Sequence, residues 1–307
     1  MSSRDLKGNL FLLAATIIWG CTFVAQEIAA EIISPFEFQA VRTLIGAVVL
    51  VPVILIMDML KKKNGTYVAP TCAEKKNLWI GGLVCGFFHC TAACLQQGGM
   101  ALGTESGKAG FITAMYIIFV PIIGLLFKKK IQPHIFVCIA FAVVGLYLLS
   151  VSADFTIQLG DAVMLVCAVA FAMHITSVDI YAQKADCVKL SCLQFVFSGL
   201  FATVLTFIFE KGFHPELIVQ VIGPILFAGV LSCGVAYTFQ VIGQKFSSSP
   251  AVASLIMSFE SVVAAIAGAL VLKDMMTGKE LIGCVFMFAA IILSQIDIKT
   301  LFAKNKA

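Results

Sequence analysis

Glu260 is the residue of this chain whose type and surroundings most directly suggest chemistry. It lies about ten residues into an apolar run, or roughly 15 Å from its end at a helical rise of 1.5 Å per residue. A carboxylate among apolar groups is costly, so it needs a partner or a water-filled cavity. We expect Glu260 either to face a cavity, where it binds a cationic group or a proton, or to hydrogen-bond a neighbouring helix.

Arg42 is the second candidate, and the only arginine inside an apolar run. By the same helical rise it lies roughly 10 Å from the nearer end of its run. Its planar guanidinium suits a two-point hydrogen bond to a carboxylate, so it can hold an anionic ligand group. It can equally neutralise Glu27 or Glu37, and the presence of these two carboxylates slightly favours a structural ion pair.

Two histidines, His89 and His174, fall near the middle of other apolar runs. Histidine is the side chain that titrates nearest neutral pH, so a buried one can relay protons. A neutral histidine that hydrogen-bonds a serine or a carbonyl group is the more common arrangement. Both are candidate binding residues, with His174 ahead of His89.

Polar aromatic and amide side chains complete the set of candidates. Tyrosine offers a flat apolar face together with one hydrogen bond, which suits an amphipathic solute. A cavity for such a solute could be lined by Tyr116, Tyr237, Gln96, Gln97 and Gln240.

One group of potential metal ligands shares a single apolar run, namely Cys85, His89, Cys90 and Cys94. Residues 85 and 89, like residues 90 and 94, lie one helical turn apart. Structural zinc sites, however, use matched ligand pairs from separate elements, and the chain has no C-x-x-C pair. The interpretation is ordinary packing, with no metal, no cofactor and no catalytic residue.

The elements that position these residues must be membrane helices. Of the 307 residues, 60% are hydrophobic and 12% are charged, whereas soluble domains carry about 25% charged residues. A soluble fold would leave much of this apolar surface exposed, and lipid removes that problem. The net charge of +4 comes largely from short lysine clusters between apolar runs, which indicate membrane topology and not nucleic-acid binding.

A backbone that spans lipid must satisfy its own hydrogen bonds, so the expected fold is an all-α membrane protein. Each apolar run has about 19–27 residues, enough to cross a hydrocarbon core of about 30 Å. Ten transmembrane helices are predicted, at 9–27, 35–57, 78–100, 107–127, 133–151, 160–182, 188–209, 217–243, 250–272 and 279–298.

The basic residues predict the orientation of these spans. Sixteen loop or tail cations lie on the side of the N-terminus. The four on the other side are Lys108, Lys211, Lys273 and Lys279. By the positive-inside rule, both termini of this multi-pass protein face the cytoplasm, and the membrane is the plasma membrane.

An internal repeat divides the chain into two halves. Setting Gly8 against Gly160 aligns residues 8–50 with 160–202 without a gap, and a second gapless match pairs 106–150 with 251–295. Five is an odd number of spans, so the second half enters the membrane the other way up. Inverted repeats of this kind form many secondary transporters, with a site near the bilayer midplane. The predicted repeats are residues 8–151 and 160–298.

Short motifs in this order resemble the EamA unit of the drug/metabolite transporter superfamily over nearly the whole chain. In the first half they are Trp19-Gly20, Phe23-Val24-Ala25, Ser34-Pro35-Phe36, Arg42, Ala101-Leu102-Gly103-Thr104 and Ala109-Gly110-Phe111-Ile112-Thr113. In the second half they are Gly160-Asp161, His174, Tyr237, Gln240 and Ser258-Phe259-Glu260. Two positions depart from the family pattern, since Ser261 stands where a proline is usual and Asp274 where a glutamate is usual.

The resemblance implies a secondary carrier for small organic metabolites, often amino acids or related compounds, which are usually exported. A coupling proton would be a second ligand, and one chain with two inverted halves would suffice as a monomer. The alternatives are an intramembrane enzyme, with Glu260 and a histidine as acid and base, or a channel. Motifs for either are absent from the sequence. The expected site is a midplane cavity between the first, third, fourth, sixth, eighth and ninth spans, with Glu260 facing it.

Overall fold

The computed structural model describes residues 3–126, 131–150, 158–247, 249–272 and 277–294, and the regular structure in these ranges is helical. Some residues of the predictions above lie outside the described ranges. They are Asp274, Lys273 and six of the sixteen cations on the N-terminal side, namely Lys128, Lys129, Lys130, Lys299, Lys304 and Lys306.

The helices fall into two sets along the chain. Those of the first set are α1 (Ser3–Ala30), α2 (Pro35–Lys63), α3 (Cys72–Ala101), α4 (Ser106–Ala114), α5 (Tyr116–Leu126) and α6 (Pro133–Ser150). Those of the second are α7 (Leu159–Ala182), α8 (Cys187–Phe209), α9 (Pro215–Gln220), α10 (Ile222–Leu226), a π-helix (Phe227–Ala236), α11 (Tyr237–Phe246), α12 (Pro250–Met257), α13 (Glu260–Leu272) and α14 (Gly278–Ser294).

Eight helical segments within the described residues are long and apolar enough to cross a membrane. The helices at the fifth and tenth predicted spans are shorter, with the apolar part of α6 at Pro133–Leu148 and α14 of 17 residues. The predicted all-α membrane fold is confirmed, and these eight segments and two shorter helices occupy the ten predicted positions.

Side-chain caps mark the starts of α2, α3 and α8, and α3 begins at Cys72, six residues before its predicted start. Ser34 and Thr71 accept hydrogen bonds from the backbone N–H groups of Glu37 and Glu74 at the starts of α2 and α3. Asp186 does the same at the start of α8. These caps satisfy N–H groups that have no partner within the helix, so the sequence itself fixes where these spans begin.

Two spans that were predicted as continuous helices are broken near their middles. α4 ends at Ala114 and α5 begins at Tyr116, while α12 ends at Met257 and α13 begins at Glu260. At both breaks the backbone switches to tighter bonds three residues apart, with Met115 N–H donating to Ile112 O and Phe259 N–H donating to Ile256 O. In the ninth span, Ser258 Oγ also donates to the backbone oxygen of Leu255, a contact that bends helices.

The eighth span also departs from a regular α-helix. Its central part, Phe227–Ala236, is a π-helix, and α10 and α11 flank it. Hydropathy carries no signal for a π-helix, because the apolar pattern continues through all three pieces. π-helical turns are often found at functional sites, since they re-aim the residues that follow.

Glycines stand where the spans cross most closely. A Cβ atom on Gly8 of α1 would lie 2.9 Å from the Gly243 carbonyl oxygen of α11. A Cβ atom on Gly160 of α7 would lie 2.7 Å from the Gly99 carbonyl oxygen of α3. Backbones approach this closely only without side chains between them, as is typical of helix packing in lipid.

Candidate functional site

A cavity lies between the helices of both halves. It lies among the first, third, fourth, sixth, eighth and ninth spans, and Arg42 adds the second span to its wall. The lining residues are Trp19, Thr22, Phe23, Gln26, Arg42, Gln96, Thr113, Tyr116, Phe171, Ile175, Ser232, Tyr237, Gln240, Met257 and Glu260.

Glu260 reaches the cavity from the break in the ninth span. It is the first residue of α13, its side chain is 5% exposed, and its Oε1 accepts a hydrogen bond of 3.0 Å from the Tyr116 hydroxyl. Tyr116 is in turn the first residue of α5, directly after the break in the fourth span. The two discontinuities therefore meet at one hydrogen bond, and the start of a helix favours a carboxylate through its dipole.

Arg42 reaches the cavity from the middle of α2. Its side chain is 2% exposed, and Nε donates a hydrogen bond of 2.6 Å to Oε1 of Gln39. The guanidinium carbon lies 5.2 Å from the centre of the Phe38 ring, a cation–π distance. Arg42 is thus fixed through Nε, and it also lines the cavity.

The expected ion pair between Arg42 and Glu27 or Glu37 is wrong. The fully buried Glu37 accepts a 2.6 Å hydrogen bond from the backbone N–H of His214 and pairs with His214 Nδ1 at 3.2 Å. Glu37 thus ties the start of α2 to the segment before α9. Across the part of the chain that the structure describes, Arg42 forms no salt bridge with a carboxylate.

Aromatic rings form much of the remaining wall. Trp19 and Tyr237 make an edge-to-face contact with centroids 4.7 Å apart, and Phe23 and Phe171 also line the cavity. Within the described residues, Trp19 Nε1 and Gln240 Oε1 are buried polar atoms without a hydrogen-bond partner. The wall therefore offers flat apolar faces, and two of its residues each hold a buried polar atom without a partner.

Amide side chains form a separate hydrogen-bonded cluster along one side of the cavity. Gln26 Nε2 donates to Oε1 of Gln96 at 2.9 Å and to Oε1 of Gln97 at 3.2 Å. Gln96 Nε2 donates to the Thr113 hydroxyl at 3.2 Å. The cluster links α1, α3 and α4, and its member Gln97 does not line the cavity.

Gln26 and Thr22 are lining residues that the sequence reasoning missed. They lie seven and three positions after Trp19, so all three share one face of α1. That spacing was available in the sequence, but uncharged polar side chains gave no reason to single out this face.

The two histidines lie behind the cavity wall and do not line it. His89 and His174 are fully buried, with ring centroids 5.5 Å apart. Tyr237 stands next to both, with its ring centroid 4.6 Å from that of His89 and 5.9 Å from that of His174. Tyr237 therefore separates the histidines from the cavity.

No cluster of three or more histidine, cysteine, aspartate or glutamate residues suited to a metal ion occurs in the described ranges. In the run with Cys85 and His89, Cys90 Sγ and Cys94 Sγ lie 3.9 Å apart. His89 instead contacts Gln39 and Ser198.

Long apolar helices around a cavity that holds a carboxylate and a guanidinium define a class of protein, the multi-pass membrane transporters. The sequence profile of the EamA-like transporter family matches residues 6–151 and again residues 158–295. The chain belongs to this family, which confirms the resemblance. It is therefore a membrane transporter with a small-molecule substrate.

Relatives of the chain bear the same description. It is 28% identical to an uncharacterized transporter of Archaeoglobus fulgidus over 295 residues, which cover 94% of this chain and 86% of that protein. It is 24% identical to the uncharacterized transporter YoaV of Bacillus subtilis over 296 residues, 94% of this chain and 97% of that protein.

A solved crystal structure, described only as that of a protein, has the same fold. It superposes with a TM-score of 0.73 at 14% sequence identity, over 96% of this chain and 98% of the other.

Proposed function

We propose that this protein is a secondary carrier that exports small zwitterionic metabolites, such as amino acids or related compounds, across the plasma membrane. The observation that carries the proposal is the presence of Glu260 and Arg42 in the wall of one cavity. A zwitterion bears an ammonium group and a carboxylate, which these two side chains can bind separately. Export, and not uptake, is the direction that the family resemblance implies.

Arg42 and Glu260 would have distinct roles. The guanidinium fork suits the substrate carboxylate, because it can donate two parallel hydrogen bonds. Glu260 would bind the substrate ammonium group or, when the site is empty, the coupling proton. Both charges are buried, so each is costly until a ligand of opposite sign neutralises it.

The neutral wall would select the rest of the substrate. Trp19, Phe171 and Tyr237 offer apolar faces to a substrate side chain, and Gln240 offers its unpaired Oε1. We propose that Tyr116 also contacts the substrate, through its hydroxyl group. His89 and His174 would act only indirectly, from behind Tyr237.

The carrier would work as two inverted repeats, residues 8–151 and 160–298, related by a two-fold axis in the membrane plane. Matched crossings support this. A Cβ atom on Gly229 would meet the Arg42 carbonyl oxygen at 3.0 Å, and one on Gly86 would meet the Gln194 carbonyl oxygen at 2.6 Å. The sequence repeat sets Arg42 against Gln194, so the same crossing occurs twice between the two halves.

Helix directions also support the inversion. α1 runs antiparallel to α11, because Gly8 lies against Gly243 while Trp19 packs against Tyr237. α11 runs in the same direction as α7, since Tyr237 lies beside His174 and the Lys245 carbonyl oxygen accepts a hydrogen bond from Gln183. The first and sixth spans therefore point in opposite directions.

The test is transport by the purified chain in proteoliposomes. We expect saturable movement of at least one amino acid from a labelled panel, and a faster rate when a proton gradient is imposed. Arg42→Gln should raise KM strongly for that substrate. Arg4→Gln, at the chain's other arginine, is the matched control and should leave KM unchanged. Absence of saturable transport across a broad metabolite panel would contradict the proposal.

A further inference from the structure

A second polar region lies on the far side of Tyr237 from the cavity. It consists of Gln39 on α2, His89 on α3, His174 on α7, and Gln194 and Ser198 on α8, and is called here the histidine pocket. All five side chains are fully buried. The carrier function proposed above assigns this region no direct part, although its hydrogen bonds end at Arg42.

The direction of these hydrogen bonds follows from Arg42, which can only donate. Its Nε–H group donates to Gln39 Oε1, so the NH₂ group of Gln39 must point the other way. There it lies 3.1 Å from Ser198 Oγ and 3.3 Å from His89 Nδ1. Gln39 therefore donates into the histidine pocket.

The same reasoning assigns the proton on His89. Ser198 Oγ accepts from Gln39, so its own hydrogen is free to reach His89 Nδ1 at 3.0 Å. Nδ1 is then an acceptor, and the proton of neutral His89 lies on Nε2. That Nε2 atom is buried and has no hydrogen-bond partner among the described residues.

In His174 the unpartnered nitrogen is an acceptor, whereas in His89 it is a donor. The Nε2 atom of His174 lies 3.0 Å from Gln194 Oε1. With the amide in this orientation, Nε2 carries the proton and donates it, and the Gln194 NH₂ group is buried without a partner among the described residues. The Nδ1 atom of His174 is then an acceptor. It too is buried and has no partner within the described ranges.

One ring thus offers a donor without an acceptor, and its neighbour offers an acceptor without a donor. The ring centroids are 5.5 Å apart. A water that accepts from one ring and donates to the other would join the two nitrogen atoms through hydrogen bonds of about 2.9 Å each. Buried polar atoms that lack protein partners are where internal waters bind.

We propose that the histidine pocket binds one ordered water between His89 Nε2 and His174 Nδ1. The water completes a continuous chain of hydrogen bonds from Arg42 through Gln39, Ser198 and His89 to His174. This chain of hydrogen bonds holds Arg42 at its Nε atom. The histidine pocket therefore helps to position the guanidinium.

Nitrogen NMR of the histidine side chains in lipid nanodiscs tests the water directly and does not depend on transport. The chain has four histidines, and His134→Gln and His214→Gln variants assign the other two signals. We expect both His89 and His174 to carry their proton on Nε2. The His89 Nε2–H group should show magnetisation transfer from water, and this transfer should be lost in His174→Phe.

Two results would overturn the water site. A proton on Nδ1 of His89 would reverse the direction of the chain. A scalar coupling between His89 Nε2 and His174 Nδ1 would indicate a direct hydrogen bond with no room for water. If His174→Phe does not fold, the spectrum of the unsubstituted protein still decides through these two measurements.

The positioning role is tested by transport, and this part rests on the carrier function proposed above. Gln39→Leu removes the acceptor of Arg42, and Gln183→Leu, at an exposed glutamine outside the cavity, is the control. We expect Gln39→Leu to raise KM about tenfold or more with little change in maximal rate, and Gln183→Leu to stay near wild type. The expected loss should apply to substrates with a carboxylate and not to their decarboxylated amines.

An unchanged KM in Gln39→Leu would refute the positioning role. If the wild-type chain transports no amino acid, the proposed substrate class is wrong, and the histidine spectra remain the test of the water. Failure of the two proposals can therefore be told apart.

Discussion

At the scale of single residues, the cavity contains two opposite charges that do not pair with each other. Glu260 accepts its hydrogen bond from Tyr116, and Arg42 gives one to Gln39. Each charge is therefore held by a neutral partner that fixes its position but leaves its charge uncompensated. This is what a site needs if a ligand is to supply the missing charges, since a direct ion pair would have to be broken before binding.

Substituting Glu260 with glutamine tests its charge with little change in shape. We expect Glu260→Gln to insert and fold like the wild type, because the amide oxygen can still accept from Tyr116. Transport should fall sharply or lose its dependence on pH, since the titratable group is gone. Glu105→Gln is the matched control, because Glu105 is exposed and makes no side-chain capping bond.

Transport by Glu260→Gln equal to wild type at every pH would reduce Glu260 to a structural residue. Loss of folding would instead indicate that its charge is required by the fold.

The hydroxyl group of Tyr116 can be tested separately. Tyr116→Phe removes the donor to Glu260 and leaves the ring in place, and the lost hydrogen bond to a charged group is worth about 1.5–3 kcal/mol. We expect maximal transport to change several-fold and its pH dependence to shift, because Glu260 then titrates without its donor. A pH profile that superposes on wild type would argue against a functional contact.

At this scale the sequence predicted some positions and missed others for identifiable reasons. Glu260 and Arg42 stand out because a charge in an apolar run must face protein or water. The partner of Arg42 could not be predicted, because the direction of Glu37 depends on a contact with His214, which lies far away in sequence. The histidines lie within helices α3 and α7, but their positions along these helices do not tell whether Tyr237 stands in front of them.

At the scale of helices, the spans were predicted by hydropathy, but their interruptions were not. The breaks beside Tyr116 and Glu260 leave the apolar pattern unchanged, so only the backbone geometry reveals them. Helix ends were easier, because Ser34 and Asp186 are capping residues and could be read directly from the sequence.

The glycine crossings give a prediction for helix packing. Gly160→Ala would set a methyl group 2.5 Å from Thr104 Oγ1 and 2.7 Å from the Gly99 carbonyl oxygen, so α7 and α3 must move apart. Overpacking of this kind costs about 1–3 kcal/mol. We expect a lower melting temperature in detergent. Gly223→Ala, where the added methyl meets nothing within 4 Å, should melt like the wild type.

Equal melting temperatures for the two glycine variants would show that the α3–α7 crossing tolerates a side chain. The crossing would then not be the close contact described here.

At the scale of the whole molecule, the sequence repeat and the lysine distribution predict the topology together. Both patterns are spread over many residues, so the predicted topology does not depend on the exact ends of the helices. The cavity between the halves is harder to predict, because it depends on how spans from distant parts of the chain pack. Glu260 and Tyr116 meet across 144 positions of sequence.

Native cysteines allow the orientation to be measured. Cys72 is exposed at the start of α3, on the side predicted to be cytoplasmic. We expect a membrane-impermeant maleimide to label it in inside-out vesicles but not in intact cells, with Cys72→Ser as the control. A cysteine placed at exposed Glu216 should show the opposite pattern. Labelling of Cys72 from outside the cell would mean that the protein inserts the other way up.

The π-helix in the eighth span bears on how the two halves diverged. Gly86 and Gly99 mark two crossings of α3 and are thirteen positions apart, whereas their counterparts Gly229 and Gly243 are fourteen positions apart. A helix can absorb one extra residue by forming a π-turn, and the π-helix lies within this longer stretch. We interpret the surplus as a one-codon insertion that followed duplication of an ancestral five-span gene.

On this interpretation, the insertion was tolerated because the π-helix absorbs the extra residue. The residues after it keep the same spacing to the next helix crossing as in the first half. Gln96 and Gln240 each precede the matched glycine by three positions, and both line the cavity. Deleting Leu231, an exposed residue of the π-helix, should therefore leave a monodisperse protein, whereas deleting exposed Phe87 from regular α3 should not. Equal damage from both deletions would contradict the insertion. The two copies would then share their crossings while lining the cavity with different residues.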